Sequence, residues 1–114
     1  WLVIRITHNN KTKRVSFAQT KQDLTDGLRY SSPEEGLLMV LPRIDRNWAV
    51  TMVDMKHSLD LFFLDEGLAV TKAIYRAAHG TLEWYLPKGK VARYILEMPV
   101  GIFKATAGDE LAIS

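Results

Sequence analysis

The sequence contains no cysteine. That excludes a disulfide framework, a thiol nucleophile and any thiolate zinc or iron–sulfur centre. It leaves the compartment open, because a chain without thiols folds alike in oxidising and reducing surroundings. Nor is there a run of about eighteen apolar residues, so no transmembrane helix is encoded. The nucleophile elbow G-x-S-x-G, the phosphate cradle G-x-x-x-x-G-K-[ST] and the dinucleotide fingerprint G-x-G-x-x-G are all missing. An excess of one sign of charge is nearly absent as well, with 15 Lys and Arg against 13 Asp and Glu. A nucleic-acid reader carries a denser basic stripe, so nucleic acid is not an expected partner. His8, His57 and His79 fall in separate segments with no H-x-H or H-x-x-x-H spacing, and neither a metal nor a cofactor is expected.

What remains is the composition of one globular domain over residues 1–114, 47% hydrophobic and 25% charged. The small net charge conceals an uneven distribution. Residues 1–31 carry six Lys and Arg against two Asp, whereas residues 32–66 carry three against seven Asp and Glu. The basic cluster Lys11-Thr12-Lys13-Arg14 reads as a polar hairpin turn. The chain opens on Trp1 and not on Met, so a preceding segment is expected. A signal peptide or membrane anchor there would export the domain, and without one it is cytoplasmic.

Short strands dominate the pattern. Leu2–Ile6 and Arg14–Ala18 read as an antiparallel hairpin about the turn-forming Asn9-Asn10. Leu37–Leu41 is an apolar strand ended by Pro42, with a loop at Ile44–Arg46. Trp48–Val53, Leu59–Leu64, Ala69–Tyr75, Trp84–Leu86, Ala92–Met98 and Glu110–Ile113 follow. In Ala69–Tyr75, simple alternation places Val70, Lys72, Ile74 and Arg76 on one face. A short helix is expected at Thr20–Tyr30, from the capping pattern Thr20/Asp23 and the pair Leu24/Leu28, and one helical turn at Ile102–Ala107. Seven or eight strands with one or two brief helices predict a mainly β fold, a compact antiparallel sandwich or partly closed barrel.

Chemistry-bearing residues are few. Asp60 sits within Leu59–Leu64 and shares a strand face with Phe62 and Leu64. A carboxylate buried there needs hydrogen-bonding or ionic partners. It is either a general acid or base, or a structural carboxylate tying its strand to a loop or to Arg29. Asp54 and His57 lie close by, but a continuous strand points His57 to the face opposite Asp54 and Asp60. Glu97 flanks Ile95 together with Arg93, near a strand end where a carboxylate can face a cleft. Trp48, Trp84 and Tyr85 stand near strand ends, as a stacking platform for a ligand or as covers for the core. Two functions lead from this inventory, ahead of a weak nucleic-acid contact through the basic N-terminal third. The leading one is a non-catalytic module that binds a ligand or a protein partner at one end of the sandwich. The alternative is a small hydrolase-type enzyme that uses Asp60 with Glu97 or Asp54, provided the two carboxylates converge to about 5–10 Å.

Several blocks stand in a telling order. They are Gly27-Leu28-Arg29-Tyr30-Ser31, Glu35-Gly36-Leu37-Leu38-Met39-Val40-Leu41-Pro42 and Met55-Lys56-His57-Ser58-Leu59-Asp60-Leu61-Phe62-Phe63-Leu64-Asp65. Then come Ala92-Arg93-Tyr94-Ile95-Leu96-Glu97-Met98-Pro99-Val100-Gly101 and Ala107-Gly108-Asp109. Over about residues 14–114 this series resembles the DUF192 family, a widespread group of small domains. The resemblance implies a compact, mainly β domain and no established biochemical role. This chain departs from the family pattern in two places. Ser31 stands where an arginine usually closes the first block, and His57-Ser58 replaces an aromatic-proline step before the aspartate. If that arginine pairs with the aspartate in relatives, the pairing here needs another cation or is absent.

Overall fold

The computed structural model describes residues 2–18, 36–45, 50–51, 57–77, 84–85 and 91–114. Within them lie β1 (Leu2–His8), β2 (Lys11–Ala18), β3 (Gly36–Asp45), β4 (Val50–Thr51) and β5 (Leu59–Leu64). These are followed by β6 (Val70–Ala77), β7 (Trp84–Tyr85), β8 (Ala92–Pro99) and β9 (Ala112–Ile113). Seven strands form one curled, half-barrel sheet in the order β6-β5-β8-β3-β2-β1-β9, and β4 pairs with β7 separately. The fold is mainly β, and no helix is found among the described residues.

The hairpin β1–β2 turns on Asn9 and Asn10, both at positive φ (50° and 63°). A two-residue turn of that hand matches the twist of the strands it joins, and asparagine tolerates it better than most residues do. Lys11–Arg14 therefore belongs to β2 and not to the turn, with Lys11 paired to His8 and Arg14 to Arg5. The sheet is not wholly antiparallel, because β2 and β3 run parallel. Residues 19–35 join them, enough chain for the dozen or so residues that a parallel crossover needs. The helix expected at Thr20–Tyr30 lies outside the described residues. Pro42 does not end β3. The ladder to β8 instead jumps from Val40↔Tyr94 to Asp45↔Ala92, so the residue that has no N–H sits inside an irregularity.

Each face of the sheet carries its own core. Leu37, Met39, Leu41, Leu59, Leu61, Phe63 and Ile95 pack on one side. Ile6, Val15, Leu38, Phe62, Leu64, Leu96 and Met98 pack on the other. Strand β5 feeds both by strict alternation, and all six of its residues are buried. At about 1.5–3 kcal/mol for each large apolar side chain, these residues supply much of the driving force for folding.

The chain after β8 closes the second core. Ile102–Ala107 is turn and irregular chain, not a helical turn. Its Phe103 and Ala105 enter the core while Lys104 and Thr106 stay exposed. The segment then meets both edges of the half-barrel. Glu110 bridges to Ala69, and Val70 exchanges backbone hydrogen bonds with Gly108 and Asp109. Beyond that, Ile113 and Ala112 pair with Ile6 and Thr7 of β1. The carboxylate of Asp109 fixes this turn, accepting the Thr106 N–H at 2.8 Å and lying 3.2 Å from His8 Nε2. The Thr106 N–H holds the Asp109 carboxyl below its ordinary value against the opposing pull of desolvation. The Thr106 hydroxyl and His8 add smaller shares.

Gly36 sits where β3 enters between β2 and β8. A Cβ there would collide with Met98 Sδ and lie 2.8 Å from the Glu97 carbonyl oxygen. Met98 can swing aside, but the Glu97 backbone cannot without breaking the ladder. Gly36→Ala should therefore destabilise the fold by about 2 kcal/mol or more, within the range for overpacked cores. A guanidinium melt with an unchanged midpoint would contradict this packing.

Candidate functional site

Asp60 occupies the second position of β5, where the period-two pattern points it to the same side as Phe62 and Leu64. It pairs with Met98, which lies in the core formed with those two residues. Its side chain is only 1% exposed. Burial on that scale is tolerable because both carboxylate oxygens are engaged. Oδ1 accepts the Arg76 N–H at 2.9 Å, and Oδ2 accepts the Gly101 N–H at 3.0 Å. The aspartate thus ties β5 to the strand on one flank and to the turn that ends the strand on the other.

The reason these two N–H groups are on offer lies in the sheet register. Strand β6 pairs Ala77 with Leu59 and Ile74 with Leu61, so Tyr75 and Arg76 together oppose the single residue Asp60. This is a β-bulge, and it lifts the Arg76 N–H off the β5 backbone ladder. The Asp60 carboxylate takes that donor instead. Arg76 lies at φ +56°, in the left-handed region, a conformation that costs a residue with a Cβ about 1–2 kcal/mol. Gly101 lies at φ +82°, with nothing within 4 Å of the position a Cβ would take. Glycine is needed there for backbone conformation and not for space.

The bulge corrects the simple alternation expected for β6. A second register shift, between Phe63↔Lys72 and Leu64↔Val70, leaves Thr71 as an extra residue. Val70 and Ala73 consequently pack with the Phe62 core, and Ile74 and Ala77 with the opposite one. Val70 and Ile74 therefore do not share a face. Thr71 turns its hydroxyl to the carbonyls of Phe63 and Val91.

Tyr75 is the other product of the bulge. Its ring meets Phe62 edge-on, with centroids 5.7 Å apart and planes at 85°. Its hydroxyl donates to the Ala105 carbonyl and accepts the Ala105 N–H. The side chain is nevertheless 46% exposed. A ring held at its edge and its tip, but open over its remaining surface, is pre-organised for contact. Tyr75, Arg76, Val100, Gly101, Lys104 and Asp60 line a cleft of about 300 Å³.

The remaining candidates do not converge on it. Glu97 is 4% exposed and pairs with Leu37 and Leu61, whose core lies on the opposite side of the sheet from Asp60. The sheet itself separates the two carboxylates. His57 is exposed in a bend ahead of β5. Asp54 lies outside the described residues. The aromatic platform expected on Trp48, Trp84 and Tyr85 falls outside the residues described in full, although the backbone of Trp84 and Tyr85 forms β7. Among the described residues no three His, Asp or Glu side chains gather as metal ligands, and no helix is long and apolar enough to cross a membrane. Tyr75 and Arg76 were not legible as site residues. The one signal in their favour was indirect, an aspartate in an apolar strand that had to find partners.

The family model of DUF192, Uncharacterized ACR, matches residues 3–113. The chain belongs to that family. No curated protein matches this DUF192 chain in sequence. Two solved structures share its fold. A protein of unknown function from Novosphingobium aromaticivorans DSM 12444 is 17% identical, with a TM-score of 0.79 over 97% of this chain and 84% of its own. A protein from Sinorhizobium meliloti 1021, described as a candidate transcription regulator, is 19% identical, with a TM-score of 0.82 over 96% of this chain and 91% of its own. At these identities the likeness is one of fold.

Truncation tests the role of Asp60 in this DUF192 domain. Asp60→Ala leaves two part-buried N–H groups without their acceptor and should cost about 2 kcal/mol, at the low end of 1–3 for each. Asp60→Asn keeps one acceptor oxygen and should cost about half as much. Urea melts of the three proteins measure both, and a wild-type midpoint for Asp60→Ala would show that the carboxylate is not structural.

Proposed function

We propose that this DUF192 domain is a non-catalytic binding module whose ligand site is the cleft between the β6 bulge and the turn after β8. One observation carries the reading. The best-placed acid of the sequence spends both its oxygens on backbone N–H groups, so it builds the cleft wall and does not reach out to a substrate. A general acid or base must come within hydrogen-bonding reach of the proton it moves, and an aspartate that is 1% exposed and doubly engaged does not. Of the two partner carboxylates that the hydrolase alternative names, Glu97 faces the other core and Asp54 lies outside the described residues.

The test is turnover. Purified domain at high concentration is incubated with nitrophenyl esters, glycosides and phosphates, in parallel with Asp60→Asn. The expected result is release no faster than in buffer for either protein. Hydrolysis by the wild type that disappears in Asp60→Asn, with the melting temperature still showing a folded domain, would overturn the binding-module reading.

A further inference from the structure

Resting on that reading, the geometry points to the class of ligand: we propose that the cleft takes a small organic oxyanion, a carboxylate or phosphate carried on a flat ring. The ring lies on Tyr75 and the charged group sits between Arg76 and Lys104.

Charge comes first. Arg76 and Lys104 both line the cleft and both are exposed. Neither forms an ion pair among the described residues. Asp60, the one acidic residue among the described lining, is turned into the wall and held by the Arg76 and Gly101 N–H groups. Two cations therefore face a single, inward-directed carboxylate. A guanidinium matches the paired oxygens of carboxylate and phosphate, and an ammonium adds a point charge beside it.

Backbone geometry makes the same case independently. Arg76 holds a left-handed conformation that a glycine would adopt without strain, and a buried aspartate is committed to keeping it there. Strained residues of this kind gather at ligand sites, where the surrounding structure over-determines them. The bulge re-aims the residue it carries, and what it aims here is an arginine at the mouth of a cleft.

Tyr75 supplies the apolar half. Its hydroxyl is tied to Ala105 and its ring to Phe62, so little rotamer freedom remains to be lost when a flat ring covers it. A cleft of about 300 Å³ lies at the small end of ligand pockets and suits one ring with one charged substituent.

Chemical-shift titration of the labelled domain with benzoate, phenyl phosphate, benzamide and inorganic phosphate tests this directly. Benzoate or phenyl phosphate should shift the amides of Tyr75, Arg76, Gly101 and Lys104 saturably, with a dissociation constant of about 1 mM. Whichever binds tighter identifies the charged group. Arg76→Gln and Lys104→Gln should each weaken binding at least about fivefold and leave the rest of the spectrum unchanged, the second serving if the first fails to fold. The proposal falls if benzamide binds as tightly as the two anions, if inorganic phosphate binds as tightly as phenyl phosphate, or if neither ringed anion shifts these residues. Any of those outcomes leaves the non-catalytic reading standing, because that reading is judged by turnover.

Discussion

A single aspartate with two backbone partners organises the functional end of this domain. The Asp60 carboxylate bonds the N–H of Arg76 on one side and that of Gly101 on the other. Without those bonds a buried carboxylate would carry a desolvation cost of several kcal/mol. Without the carboxylate, a bulged strand and a tight turn would each leave a part-buried donor without its acceptor. The interaction is reciprocal, and each half explains why the other is tolerated. It also converts a local irregularity of β6 into a fixed feature of the surface, because the same bulge exposes Arg76 and Tyr75 together.

That clamp depends on the way the sheet closes. Gly101 stands at the start of the segment that leaves β8, and the chain beyond it lays Phe103, Ala105 and Leu111 into the core before joining the opposite edges of the half-barrel. Tyr75 grips that segment at Ala105. Phe62 stands between, meeting the rings of both Tyr75 and Phe103 edge-to-face. The cleft wall is therefore continuous with the barrel closure, and the site rests on β strands and a pinned segment in place of a free loop.

Much of this framework could be read from periodicity. Leu59–Leu64 is the strand that composition and alternation single out, and its residues divide between the two cores as a period of two requires. The Asn9-Asn10 turn and the strand ending at Pro99 were equally plain. Three features were not. Pro42 reads as a strand end, yet β3 passes through it, because an irregular ladder asks no N–H of that residue. Ile102–Ala107 reads as a helical turn, yet it is irregular chain that buries Phe103 and Ala105 alternately. The bulges at Thr71 and at Tyr75-Arg76 leave no mark on hydropathy, since they depend on which residues face them across the sheet. The site was legible through Asp60 alone. Its cationic and aromatic members come from a register shift that no single segment reveals.

Native-state hydrogen exchange at the amides of Arg76 and Gly101 tests the clamp most directly. If the Asp60 carboxylate holds both, these two protons exchange only through global opening, with the same free energy as core amides such as Phe62. In Asp60→Asn at least one of them should become faster while the core amides remain uniform among themselves. Exchange of both amides in the wild type at the rate of exposed turn residues would contradict the account.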